Sequence, residues 1–216
     1  MKITTVHPDY LPTKAHTQDA AYDLRAYIKS TDVETLKYIV RMCNRLTYNG
    51  TEDLPTNYYL NGAPLFTGKV SIAVVNSTVN ELLTYPLALL LPNNIVTLDT
   101  GVAIATENYT NLNARRKMEG LCPLVRCIDI RSRSGLAINH RISVVNSPGL
   151  VDSETYRSTI KVGLENNGTN VHFFTDKARI AQMTFSVVED HGDLSQYLVE
   201  ELDVTTRKSG LGSTGI

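Results

Sequence analysis

The chain is predicted to be mainly β, with a helix-bearing stretch in its first half. Three observations point that way. Ile160, Val162 and Leu164 alternate with Lys161, Gly163 and Glu165, and Ala181, Met183, Phe185 and Val187 alternate with Gln182, Thr184 and Ser186. A period of two sends one face to a core and the other to water, as in half-buried antiparallel strands. Asn167-Gly168 and Pro148-Gly149 supply turns between such runs. Residues 32–47 instead show apolar side chains at three- and four-residue steps. The C-terminal half therefore reads as an all-β sandwich or barrel.

Taken in order, residues 1–29 form short strand and turn structure around Asp19–Ala26. Thr31 and Glu34 have the spacing of a capping box, which starts a helix. Val33, Leu36, Val40, Cys43 and Thr47 then mark one face, widened by Ile39 and Leu46, so that the helix packs on the body of the protein. Residues 48–68 are rich in Asn, Gly, Pro and Thr and read as a loop. Val70–Val75 is read as a strand. β texture runs from residue 87 onward. The tail, Arg207–Ile216, cannot pack a core and by itself would be a frayed terminus.

Composition narrows the class. Hydrophobic residues are 42% and charged residues 20% of the 216, values that suit a globular domain and argue against disorder. Lys and Arg number 21 against 22 Asp and Glu, so the chain lacks the overall basic charge of a general nucleic-acid binder. The three cysteines, Cys43, Cys122 and Cys127, are too few for a disulfide framework. Cys122 and Cys127 have no histidine cluster beside them in sequence, and they read as core or interface thiols, not as zinc ligands. The N-terminus lacks the layout of a signal peptide, and the apolar run Pro86–Pro92 is too short to span a bilayer. The expectation is a soluble, cytoplasmic protein.

No phosphate loop, nucleophile elbow or HExxH motif occurs. His7, His16, His140, His172 and His191 are scattered and read as surface or packed residues. Two segments carry more. Arg131-Ser132-Arg133-Ser134-Gly135 follows the strand-like Val125–Ile130. Guanidinium forks and hydroxyls at a strand end suit a polyanion, with Gly135 admitting close backbone approach; a solvated basic turn fits the same residues. Asn146–Asp152 is a tight turn leading to an acid flanked by apolar residues. Such a carboxylate can act as a general base or cap a turn.

The order of the segments adds to this. Asp19–Ala26, Arg133-Ser134-Gly135, Asn146–Arg157, Ala178–Gln182 and Gly210–Gly215 resemble, in sequence, the five motifs of the trimeric dUTPases (deoxyuridine triphosphate nucleotidohydrolases). Leu89–Ala105 resembles the family's strand between the first two motifs. The resemblance covers about residues 1–29, 87–106 and 123–216. It implies a single domain over 1–216 with a distorted jelly-roll β-barrel fold. It also implies a helix-containing insertion at 30–86, a shorter one at 107–122 and a flexible lid at 205–216.

The resemblance implies hydrolysis of dUTP to dUMP and pyrophosphate by a homotrimer with shared active sites. Asp152 matches the aspartate that activates the attacking water, and Mg2+ is held by the triphosphate and waters with no direct protein ligand. Arg133 matches an arginine held by a supporting Asp23. Ser134 and Gly135 sit by the scissile bridge, and Gln182 contacts phosphate. Asn146, with Leu150 and Val151 in the same hairpin, matches the uracil reader. Tyr156 matches the residue under the deoxyribose, and Lys161 lines the substrate. Arg207, Gly212, Ser213 and Thr214 match the lid. Neither nucleic acid nor membrane is an expected partner; the 30–86 insertion is a possible surface for an unknown protein.

The sequence departs from the family in four places, one of them a tail with one residue fewer between Arg207 and Gly212. One extra residue separates Asp152 from Tyr156. Lys177-Ala178-Arg179 replaces the usual Gly-Asp-Arg. Leu211 stands where the family has an aromatic that stacks on uracil. Two other readings remain open at this point: a dCTP deaminase, for which Glu154 is misplaced, and a dUTPase-like regulatory protein.

Overall fold

The apolar run at Leu87–Leu90, closed by prolines, is where the architecture turns. These four residues form β5, a strand whose neighbours bury both its faces. Ala88 and Leu90 point into one hydrophobic core, and Leu87 into another. A strand covered on both sides has no polar alternation, which is why it reads as a continuous apolar run. Its partner β12 (Val171–Thr175) divides in the same way, with Phe174 in the first core and Val171 and Phe173 in the second.

The computed structural model describes residues 2–48, 57–66, 72–105, 110–152 and 158–192. Around the first core stand β1 (Lys2–Thr5) paired with β7 (Val102–Ala105), and a three-stranded sheet of β6 (Ile95–Asp99), β11 (Lys161–Asn166) and β9 (Ile142–Val144). A four-stranded sheet in the order β10 (Gly149–Asp152), β8 (Leu124–Ser132), β13 (Arg179–Glu189), β2 (Tyr22–Arg25) completes the wall. All these pairs are antiparallel. The fold is mainly β, of the jelly-roll kind. The expected alternations hold: Val162 and Leu164 on β11, and Ala181 and Met183 on β13, are 1% exposed or less. At Val187 the pattern stops having meaning, because this end of β13 leaves the core and the side chain is half exposed.

One turn depends on glycine. Gly101, between β6 and β7, has φ +65°, and a Cβ there would lie 2.6 Å from Val6 Cγ2.

The second core is built by α1 (Val33–Tyr48), α2 (Ile72–Leu82) and the hairpin β3 (Tyr58–Leu60)–β4 (Ala63–Phe66), all packed against β5 and β12. Four expectations change here. The cap of α1 is Asp32, not Thr31: its carboxylate accepts from Thr35 N at 2.9 Å and Thr35 Oγ1 at 2.7 Å. The Thr31 hydroxyl accepts from Leu87 N and so ties the helix entry to β5. The buried face of α1 is Thr35, Ile39 and Met42, whereas Val33, Leu36 and Val40 are exposed. Residues 72–75, read as strand, open α2, which buries Val75, Val79 and Leu82 at helical spacing against α1; packing overrides the β preference of the valines. Within the expected loop, Asn61 and Gly62, both at positive φ, turn the β3–β4 hairpin.

Two further helices were not foreseen. α3 (Thr110–Met118) lies within 107–122, and α4 (Ser134–His140) occupies the segment read as a basic turn. No helix among the described residues is long and apolar enough to cross a membrane.

Candidate active site

The centre of the site is the carboxylate of Asp23. β2 pairs with β13 so that Asp23 faces Gln182 across the strands. The side chain is 3% exposed. Oδ1 accepts from Arg133 Nε at 3.2 Å and Gln182 Nε2 at 3.3 Å, and Oδ2 accepts from Arg179 Nη1 at 3.3 Å. Its backbone N donates to Thr13 O at 2.8 Å. A buried anion held by two guanidinium groups and an amide is well satisfied, and it fixes the directions of its partners.

Arg133 leaves the end of β8 and precedes α4 in extended conformation. Its Nη1 also donates to Arg179 O at 3.2 Å. Ser134 and Gly135 follow on the first turn of α4, both exposed. A Cβ at Gly135 would meet nothing within 4 Å, so the space above this turn is open to a ligand.

Arg179 is the residue that reading the sequence missed as a site residue. In a regular strand, Arg179 and Gln182 would point to opposite faces, since side chains alternate and the two lie three positions apart. A register shift between Arg179 and Ala181 changes the phase, and both side chains reach the one carboxylate. A bulge of this kind re-aims a side chain. Its only trace in the sequence is the arginine itself.

The other expected residues lie apart from this cluster within one chain. Asn146 is exposed on the turn after β9. Its side chain lies 3.3 Å from where a Gly149 Cβ would stand, so the two residues pack closely across the turn. Leu150, exposed, and Val151, half-buried, face Asp129 and Ile128 from the edge strand β10. The Asp152 backbone pairs with Cys127, about 20 Å along β8 from Arg133 at the usual strand rise. Lys161 is exposed on β11 opposite Asp99. Tyr156, Arg207, Gly212, Ser213 and Thr214 lie outside the described residues.

Comparison with known proteins gives the family. A deoxyuridine 5'-triphosphate nucleotidohydrolase of Clostridioides difficile is 39% identical over 100 residues, which are 44% of this chain and 67% of that protein. The chain belongs to the dUTPase family. The relative of the same name from Trichodesmium erythraeum is 44% identical over 87 residues, 40% of this chain and 58% of its own. The chain thus spans under two thirds of the length of that relative, and 57% of the one from Orientia tsutsugamushi. No family model matches. Among solved structures, Staphylococcus bacteriophage 80alpha dUTPase with dUpNHpp superposes with a TM-score of 0.54 over 100% of this chain and 98% of that one, at 13% identity. At that identity the likeness concerns the fold alone.

Proposed function

We propose that the chain hydrolyses dUTP to dUMP and pyrophosphate, in the cytoplasm, so keeping uracil out of DNA. The observation that carries this is the Asp23 cluster: a buried carboxylate that aims Arg133 and Arg179 beside the open turn of Ser134 and Gly135. Two guanidinium groups and a hydroxyl next to free space suit a polyphosphate.

The substrate is taken as its magnesium complex. Both Asp23 oxygens already accept from cationic or amide donors, which balance this carboxylate without a metal. The residues therefore fit a cation that arrives on the triphosphate, where it offsets charge on the leaving pyrophosphate.

In this reading Asp152 removes a proton from the attacking water as it reaches the α-phosphorus. Ser134 donates to the bridging oxygen region, Gln182 contacts phosphate, and Asn146, Leu150 and Val151 form the hairpin that reads uracil. A polar hairpin with no spare room rejects a wrong base edge, because mispaired buried groups stay unsatisfied. Tyr156 and Lys161 line the sugar end, and Arg207, Gly212, Ser213 and Thr214 close over the phosphates.

The same geometry supports a homotrimer. Within one chain, Asp152 and Ser134 are too far apart along β8 to touch one nucleotide. Junctions between copies supply the missing partner. Residues 30–86, with their own core, and 107–122, with α3, are then insertions into the family domain, and 205–216 is its lid.

A second reading keeps a partner protein on the 30–86 unit, favoured by the exposed Val33, Leu36 and Val40 on α1.

The test is pyrophosphate release from dUTP, dCTP, dTTP and UTP, with magnesium and with chelator, for wild type and Asp152→Asn. Release from dUTP alone, lost in the variant and with chelator, is expected. Ammonia release from dCTP, or no turnover at all, would overturn the reading.

A further inference from the structure

The far ends of β8 and β13 bring together three side chains that the nucleotide site does not use. Cys122 precedes β8, Glu189 ends β13, and His191 follows it. The backbone N of Asp190 donates to Pro123 O at 2.8 Å and so clamps the two strand ends. Cys122 Sγ lies 3.3 Å from His191 Nδ1, and His191 Nε2 lies 3.9 Å from Glu189 Oε2. One donor atom from each of the three lies within 4.8 Å of the others.

A fourth residue sets the cluster. Arg116 Nε donates to Cys122 O at 2.6 Å, and its Nη2 donates to Glu189 Oε1 at 2.7 Å. The guanidinium thus holds one carboxylate oxygen and leaves Oε2 turned toward the imidazole. Hydrogen bonds of this kind orient metal ligands.

We propose that Cys122, Glu189 and His191 form a zinc site, with water as the fourth ligand. The donor set selects the metal. A thiolate and an imidazole suit a borderline-soft cation, whereas magnesium and calcium take oxygen ligands. With Zn–S about 2.3 Å and Zn–N about 2.0 Å, tetrahedral ligands stand roughly 3.5 Å apart. The sulfur–nitrogen separation of 3.3 Å is already close to that, and small rotations of two surface side chains bring the carboxylate in. The site lies just before residues 193–216, so zinc would fix the point from which the C-terminal segment departs. It is independent of the hydrolase reading.

Chelator-treated, desalted protein is titrated with zinc chloride in a calorimeter, with magnesium in excess. One zinc per chain is expected, with protons released as the thiol ionises. Cys122→Ser and His191→Ala should each weaken binding at least about tenfold. On unsubstituted protein, zinc should protect Cys122 from iodoacetamide and leave Cys43 labelling unchanged; this arm holds even if a variant folds poorly. Cobalt should give a thiolate charge-transfer band that is absent in Cys122→Ser. No saturable binding, equal affinity in Cys122→Ser, or alkylation of Cys122 at the same rate with and without zinc would overturn the proposal.

Discussion

Asp23 and Arg133 are 110 residues apart in the chain, and their carboxylate and guanidinium meet at 3.2 Å. The contact joins β2 to the end of β8 across β13, and β13 itself supplies Arg179 and Gln182 to the same carboxylate. One buried anion therefore sets the positions of three side chains.

Asp23→Asn should cost about 2–4 kcal/mol, because two guanidinium groups lose their counter-charge beside a buried position. The low end is expected, since Arg179 is half exposed and water screens it. Gln182→Ala should cost under about 1 kcal/mol, because the two charge-assisted bonds remain. Urea unfolding of both variants checks the order; equal losses would contradict it.

His172 should make the protein acid-labile. The side chain is fully buried, both ring nitrogens lack a hydrogen-bond partner among the described residues, and it stacks on Tyr59 with ring centroids 5.0 Å apart. Burial, and then the nearby His140, holds its pKa down from 6.5 to about 4. The unfolded chain takes up this proton near pH 6.5, whereas the folded chain resists until about pH 4. Stability is thus lost as pH falls through that window, by about 3 kcal/mol at its end. His172→Phe should remove this loss. The difference between wild-type and variant unfolding midpoints, followed from pH 7 to 4.5, should change in the variant's favour; a flat difference would contradict the assignment.

Asn166→Ala should destabilise by about 2 kcal/mol. Asn166 is 1% exposed, donates to Asn170 O at 2.8 Å and accepts from Gly168 N at 2.9 Å. It organises the turn between β11 and β12. A loss under about 0.5 kcal/mol in thermal or urea unfolding would mean that water substitutes freely.

The two cores should fail separately. Ile39→Ala, in the α1–α2 core, should cost about 2–4 kcal/mol and speed amide exchange in α1 and α2, with β8 and β13 still protected. Ile128→Ala, in the β core, should lower protection everywhere. Hydrogen exchange by mass spectrometry distinguishes these outcomes, and uniform loss in both variants would show a single cooperative unit.

Much of this molecule is readable from its residues. β11 and β13 follow from alternation, the helix from its period, and the family from five short segments in order. Each is a local pattern, set by the geometry of one strand, one helix or one loop. What required the tertiary structure is anything that depends on what lies opposite. α1 carries two apolar stripes, and only the position of β5 and β12 decides that Ile39 and Met42 go inward while Val33, Leu36 and Val40 stay outside. The valines of 72–75 favour a strand until α1 offers them a helical surface. Arg179 reaches Asp23 only because a register shift reverses its direction. Cys122 has no histidine near it in sequence, and it meets His191 because β8 and β13 end side by side. Local periodicity marks the strongly patterned elements; burial and strand register, which couple distant residues, decide the weakly patterned ones and which faces meet.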